Sequence, residues 1–354
     1  MSKSSTSNFI MKSPNLDWTP LHAQLNQTLR QRKILPKNQR ILIAVSGGQD
    51  SLCLTKLLLD LQSKWDWYLA VAHCDHKWRA DSEANANYVK KLATNWQLPF
   101  YLETANKIYK SEAEARKWRY QTLSKIANES NFQYIVTGHT ASDRAETLLY
   151  NLIRGSGTDG LQALTWQRPL TENFCPLLVR PLLEITRSQT GNFCQEQKIA
   201  IWEDSTNQDL RYARNRIRLE LFPILRQFNP QTELALAQTA EILSAEVEYF
   251  ENETEKLLEK VTKIDIDDMD NLNISQFESQ PIRYIINRLV LREVSLALQR
   301  RVMRHILNKV LPTNPNFSHI EKLTALIHAP NRSQTDPFPG GAIAKVQHPW
   351  IILV

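Results

Sequence analysis

Long apolar runs, a secretory leader and paired cysteines are all missing from this 354-residue sequence. A bilayer-spanning helix needs about 20 consecutive, mostly apolar residues, so no membrane partner is expected. The N-terminus lacks the apolar middle region of a secretory signal. The four cysteines, Cys53, Cys74, Cys175 and Cys194, form no Cys-x-x-Cys pair. That argues against a disulfide framework and a cysteine zinc site, and it suits a reducing, cytoplasmic location. No repeat stands out, and low complexity is confined to the N-terminus. Residues 1–13 are Ser-rich and carry Lys3 and Lys12 but neither acid nor arginine, so residues 1–17 are expected to be a disordered tail in preference to a transit segment. The formal charge of +6 is modest, yet it fits a polyanionic partner if the basic residues cluster.

What is present centres on Ser46-Gly47-Gly48-Gln49-Asp50-Ser51. The apolar run Ile41–Val45 before it reads as a buried parallel strand, and Leu52, Leu54, Leu57, Leu58 and Leu61 after it recur at helical spacing. The turn therefore joins a strand to a helix N-terminus. Paired glycines there let the backbone approach a ligand, and the exposed amides with the helix dipole favour an anion. Ser46 and Ser51 add hydroxyls, and Asp50 places a carboxylate where it could hold Mg²⁺ beside a phosphate. A Gly-rich turn with ordinary polar caps would share the glycines, but not the two serines and the aspartate together. No lysine follows the glycines, which excludes a Gly-x4-Gly-Lys-Ser/Thr loop.

Further along, a helix is expected from Thr19-Pro20, then strands at Tyr68–Ala72, Pro99–Leu102, Tyr134–Thr137 and Leu177–Arg180. Helices are expected from about Ser82, from the capping box Ser111-x-x-Glu114, from about Asp143 to Arg154, and from Arg187. Strands alternating with helices imply an α/β fold with a doubly wound parallel sheet, its ligands gathering at the strand C-termini. Composition changes near Pro223–Pro230. A long helix over Gln231–Val261, helical segments near 281–293, 297–311 and 318–328, and two short terminal strands then predict a mostly helical second domain with a terminal β segment. The domains are read as 18–225 and 230–354.

His73-Cys74-Asp75-His76 contains four metal-binding residue types, but adjacent ligands at a strand end rarely converge on a metal. A loop completing a nucleotide site needs the same polar residues. Gly155-Ser156-Gly157-Thr158-Asp159-Gly160 spells a dinucleotide fingerprint but follows a helix, so it reads as a turn. Asp143 and Glu146 fit either an N-cap with its N3 partner or, with His139, two site carboxylates that hold a metal or a cationic amine. Arg116 and Arg119 lie one turn apart, as either a solvated stripe or a contact for triphosphate or RNA. Arg211, Arg214 and Arg218 are expected on one helix face beside Arg216, in the densest basic stretch, which favours phosphate contact. Arg300, Arg301, Arg304, His305 and Lys309 form a second basic set.

Ser46–Ser51 matches the Ser-Gly-Gly-x-Asp-Ser signature of the PP-loop ATP pyrophosphatases, whose fold is adenine nucleotide alpha hydrolase-like. Further matches are Ala72–Arg79, Glu114-Ala115-Arg116-x-x-Arg119-Tyr120, Thr137–Thr147, Arg154–Gly157, Arg180–Leu183, Asp204–Asn207 and Arg214–Arg218. As a set, covering about residues 38–225, these resemble the tRNA(Ile)-lysidine synthetases. Cys74 and Lys77-Trp78 depart from the family pattern without removing an ionisable group. The resemblance implies a ligase that adenylates the C2 oxygen of the wobble cytidine in a CAU-anticodon tRNA(Ile) and joins that carbon to the ε-amine of L-lysine. It implies ATP and Mg²⁺ as cofactors. Nucleotide-binding residues would be Ser46, Gly47, Gly48, Gln49, Asp50, Ser51, His73 and Asp75, with Asp50 as metal ligand. Catalytic residues would be Asp50, Arg116, His139, Asp143 and Glu146, and tRNA contacts Arg119, Arg214, Arg216 and Arg218. A homodimer is left open. A PP-loop tRNA thiolase or a non-catalytic tRNA-binding protein are the alternatives. The cysteine-dependent thiolase type would need Cys-x-x-Cys, and an inactivated fold would be expected to have lost Asp50 or Asp143.

Overall fold

The computed structural model describes residues 18–78, 80–109, 111–170, 176–203, 208–262 and 282–354. The tail expected over 1–17 and the motif residues Arg79 and 204–207 lie outside these residues, as does Cys175. The chain divides into two compact units, one up to Ser244 and one from Ala245.

In the first unit, β1 (Arg40–Ala44), β2 (Tyr68–Asp75), β3 (Phe100–Thr104), β4 (Tyr134–Thr137), β5 (Gln167–Pro169) and β6 (Leu177–Val179) form one sheet in the order β3-β2-β1-β4-β6-β5. All neighbours pair in parallel except β5, which runs antiparallel on the edge. Ile41, Leu42 and Ile43 are wholly buried because both faces of the sheet are covered. On one face, α1 (Pro20–Arg32), α2 (Gln49–Trp65) and α7 (Arg187–Glu196) pack through Leu25, Leu29, Leu57, Leu61 and Phe193. On the other, α4 (Glu112–Glu129) packs Leu123 and Ile126 on Leu42, Ala70 and Ile135. α3 (Ser82–Asn95) and α5 (Ala141–Ile153) complete the crossovers, and α6 is a single turn (Thr158–Leu161). Strand order reverses between β1 and β4, and ligand crevices open at such a switch point.

Four local expectations need correction. β2 continues through Asp75, so His73 and Asp75 belong to the strand and not to a following loop. Pairing of His73 with Leu102 and Asp75 with Thr104 on β3 holds it extended. α5 starts at Ala141, because Thr140 rather than Asp143 is the N-cap. Arg211, Arg214 and Arg218 do not share one regular helix face. Arg211 precedes α8 (Ala213–Arg216), and residues Ile217–Leu221 form a π-helical turn before α9 (Phe222–Phe228). Finally, the segment expected to be helical near 281–293 contains β7 (Tyr284–Asn287). Ile285 and Ile286 pair with Ile352 and Ile351, so burial on a distant strand overrides local helical spacing.

The first unit ends within α10 (Thr232–Thr262). In the second unit, α11 (Arg288–Arg292), α12 (Leu296–Val310) and α13 (Phe317–Ala325) accompany an antiparallel sheet, β7-β9-β8, with β8 at Ala344–Gln347 and β9 at Trp350–Leu353. Val302, Ile306, Leu307, Leu323, Ile351 and Leu353 form its core. No helix among the described residues is long and apolar enough to cross a membrane.

A polar link inside the first unit ties α1 to α2. Thr19 donates its backbone N–H to Nδ1 of the buried His22, which leaves Nε2 to donate to Asp60 at 3.1 Å. Lys56 bonds both Asp60 oxygens, at 2.5 and 2.7 Å. Burial raises the Asp60 carboxyl, but His22 and Lys56 outweigh it and hold the group below its ordinary range. The resulting stability is present above the unfolded value near 3.9 and is lost as pH falls through the lower folded value. Asp60→Asn should therefore cost about 1–2 kcal/mol at neutral pH. Denaturant midpoints measured across pH should show the gap to the parent closing below about pH 4; a gap that widens on acidification would contradict the link.

Candidate active site

The switch point holds a cavity of about 460 Å³ lined by the ends of β1, β2 and β4 and the helices that follow them. At its floor lies the Ser46–Ser51 turn. Gly47 has φ +92°, and a Cβ there would fall 2.4 Å from the Asn85 Oδ1, so only glycine fits. Asn85 in turn donates to the Ser46 carbonyl at 3.0 Å. Ser51 Oγ accepts the Ser46 N–H at 3.2 Å and donates to the Gly48 carbonyl at 2.9 Å, which closes the turn. Gly48 caps α2 without a side chain, so the first amides of a 17-residue helix keep their anion-binding capacity.

β4 approaches this turn closely. A Cβ on Gly138 would fall 2.7 Å from the Asp50 carbonyl oxygen and 2.9 Å from the Ser51 nitrogen. That glycine brings His139 and the start of α5 against the loop. His139 Nδ1 lies 2.8 Å from Thr137 Oγ1. Burial, reinforced by Arg180, Arg116 and Arg119 and opposed by Asp143, pushes the imidazole down to about 3, so it is neutral at physiological pH.

Three carboxylates face the same space. Burial raises the Asp50 carboxyl, Arg187 at 3.6 Å opposes this, and Asp143 adds to it. Thr190 and Gln49 also donate to Asp50. Asp143 serves the capping box as its N3 residue: its Oδ2 accepts both the N–H and the hydroxyl of Thr140 at 2.8 Å. Its Oδ1 faces Arg218 at 3.7 Å. Burial works against its charge, but His139, the Thr140 donors and Arg187 hold it below the usual range. Glu146 is not part of the cap. It is buried and forms a bidentate pair with Arg218, at 2.6 and 2.7 Å, though burial still raises its carboxyl.

On β2, the His73 ring is fixed by Nδ1–H donating to the Val45 carbonyl at 2.7 Å, and Asp75 Oδ1 accepts the Lys77 N–H. His73, Asp75, Arg116, Arg119, Arg214 and Arg218 all line the cavity with Ser46–Ser51, His139, Asp143 and Glu146. Gly47 is the one residue of that turn outside the lining; it is buried, and its carbonyl accepts the Trp202 N–H at 3.0 Å. Arg216 faces outward, paired with Glu220. No cluster of three metal-ligating side chains occurs among the described residues.

Sequence reasoning gave no role to Arg187, Thr190, Asn85 or Gly138. Arg187 and Thr190 sit on α7, far along the chain, and only the packing of α7 on α2 brings them to Asp50. Gly138 stood in a quoted motif, and its position directly after a strand was the available signal.

A family model for the PP-loop domain matches residues 19–225, and a model described as the TilS substrate binding domain matches residues 287–348. The chain is 66% identical over 337 residues to a tRNA(Ile)-lysidine synthase from Nostoc sp., covering 95% of this chain and 97% of that one. It is 48% identical over 335 residues to the enzyme of the same name from Synechocystis sp., covering 93% and 96%. A chloroplastic relative from Zygnema circumcarinatum shares 37% over 339 residues, covering 85% and 78%. Among solved structures, the U34-tRNA thiolase NcsA from Methanococcus maripaludis superposes with a TM-score of 0.53 at 15% identity, covering 63% of this chain and 77% of that one. That likeness shows a shared fold.

The Gly138 contact predicts that Gly138→Ala must push β4 off the α2 N-terminus. We expect a loss of about 1–3 kcal/mol in stability and at least tenfold weaker ATP binding. Gly157→Ala, whose Cβ would meet nothing within 4 Å, should leave the melting temperature unchanged. Calorimetry on both variants decides it; parent-like ATP binding by Gly138→Ala would refute the steric account.

Proposed function

We propose, since the chain belongs to the tRNA(Ile)-lysidine synthase family, that this cavity serves ATP-dependent lysidine formation and that its residues divide the work as follows. The observation that carries the proposal is the convergence of an anion-binding turn, three carboxylates and Arg116 on one cavity. In the reaction, the C2 oxygen of the wobble cytidine attacks the α-phosphorus of ATP and pyrophosphate leaves. An amine then attacks C2 and AMP departs.

The amides and hydroxyls of Ser46–Ser51 hold the β- and γ-phosphates and stabilise the departing pyrophosphate. His73 and Asp75 complete the nucleotide end of the cavity. Asp50 is a half-buried carboxylate outside any three-ligand cluster among the described residues, which fits a hard cation that takes its remaining ligands from phosphate and water. Mg²⁺ held there would neutralise charge developing on the phosphates. Chemistry at C2 requires an unstacked cytidine, which Arg116 and neutral His139 orient by charge and hydrogen bonding. L-lysine is the amine donor, its ammonium held by Glu146 and Asp143. Glu146 already accommodates a cation, the Arg218 guanidinium, in bidentate fashion. Its raised carboxyl is suited to taking the proton that the amine must lose before attack. Arg119, Arg214 and Arg216 contact the tRNA backbone, while Arg218 acts at the carboxylates. A catalytic domain over 18–225, a tRNA-binding domain over 230–354 and a cytoplasmic setting complete the reading.

Purified protein incubated with ATP, labelled lysine and unmodified tRNA(Ile) should transfer label to the tRNA. Glu146→Gln should lower lysine transfer by at least about a hundredfold, while pyrophosphate release with tRNA and no lysine stays within about tenfold of the parent. Asp143→Asn keeps an acceptor for Thr140, so its melting temperature should barely move while transfer collapses. Full transfer by either variant would remove that carboxylate from the reaction.

A further inference from the structure

Beside the cavity, arginines converge on one tyrosine. The guanidinium carbons of Arg116, Arg119 and Arg168 lie 5.1, 5.5 and 5.0 Å from the centre of the Tyr120 ring. Arg180, at 2% exposure, follows β6 and donates Nη1 to the Thr165 carbonyl at 2.6 Å. Its Nε and the Tyr120 hydroxyl are both buried and make no well-formed hydrogen bond among the described residues, although the two side chains interact with each other. No carboxylate among the described residues pairs with any of these four arginines. Like charges this close repel, and the usual remedy, an interleaved Asp or Glu, is missing among the described residues.

The titration behaviour agrees. Burial lowers Arg116, and Arg119, Arg214 and Arg168 lower it further against Tyr120. Burial takes Arg180 down to about 10, with Arg168 and Arg116 adding to the effect. Tyr120 is lowered because the arginines outweigh its burial. Arg116, Arg180 and Tyr120 each respond as a group inside a cation cluster would.

We propose that this Tyr120-centred cluster is a phosphate subsite, and that Arg168 takes a backbone phosphodiester of the tRNA strand beside the nucleotide held at His139. A triphosphate shares the chemistry but has its own place at Ser46–Ser51, after β1. Arg168 stands on β5, three strands from β1 in the sheet order, or about 14 Å at ordinary strand spacing. Arg116 and Arg119 line the same cavity as His139, so the cluster reaches the pocket that holds that residue. Arg168 lies outside the cavity lining, and its one hydrogen bond among the described residues goes to the adjacent Pro169 carbonyl. It is therefore available to an incoming anion.

The inference rests on the tRNA reading of the cavity. Its test is the salt dependence of tRNA(Ile) binding to the full chain for Arg168→Gln and Arg168→Met, both of which keep an alkyl stem over Tyr120, and for Arg168→Lys. The first two should raise Kd about tenfold and make the log–log salt slope shallower by roughly 0.7–0.9, and lysine should restore the slope. ATP binding without tRNA should match the parent. A parent-like slope in a folded Gln or Met variant, or a defect confined to ATP, overturns the subsite. Failure of the parent itself to bind tRNA(Ile) would instead defeat the reading on which it rests.

Discussion

The close approach of Gly138 to the backbone of Asp50 and Ser51 is the contact on which the cavity depends. It joins the end of β4 to the start of α2, the two elements that flank the reversal in strand order. The three site carboxylates and His139 hang from one side or the other of that contact. Asp50 comes with α2, while His139, Asp143 and Glu146 come with β4 and α5. A wider seam would separate the anion-binding turn from the carboxylates that must act next to it. Interiors pack too tightly for such a shift to be absorbed elsewhere.

Charge within the cavity is segregated. Asp50, Asp143 and Glu146 gather near Arg187 and Arg218, so negative charge there is high but answered. The arginines around Tyr120 are positive and have no paired carboxylate among the described residues. The protonated form of His139 is opposed by arginines and favoured by Asp143, and burial settles the ring as neutral. A neutral imidazole can donate or accept a hydrogen bond without adding a positive charge that the arginines would repel. Two-step chemistry with an anionic leaving group and an amine that arrives as an ammonium benefits from such separation, because each ligand meets charge of the opposite sign.

Much of this was legible in the sequence, and the exceptions share one cause. β1, β4, α1 and the Ser46–Ser51 turn announce themselves through apolar runs, a Thr-Pro start and paired glycines, all local signals. Arg187 and Thr190 carried no such signal, because their proximity to Asp50 is created by packing between α2 and α7. The same holds for β7, whose Ile285 and Ile286 become strand residues only against β9. Arg218 stood in a basic stretch and read as an RNA contact; its pairing with Glu146 joins α5 to a π-helical turn that periodicity does not forecast. Local chemistry gave the residue types, and tertiary pairing decided which of them meet.

Asp143 shows why capping and chemistry need not be rival explanations. A carboxylate has two oxygens, and the capping box uses one of them for both Thr140 donors. The second is thereby aimed across the cavity, towards Arg218. The cap fixes the side chain in one rotamer, so the outward oxygen costs little further ordering when a ligand arrives. The same two donors help hold the carboxyl ionised against burial. A residue placed only to bind a cation would have to be oriented by some other element of the fold. Here the start of α5 supplies that orientation, and the reaction inherits a carboxylate that the helix already requires.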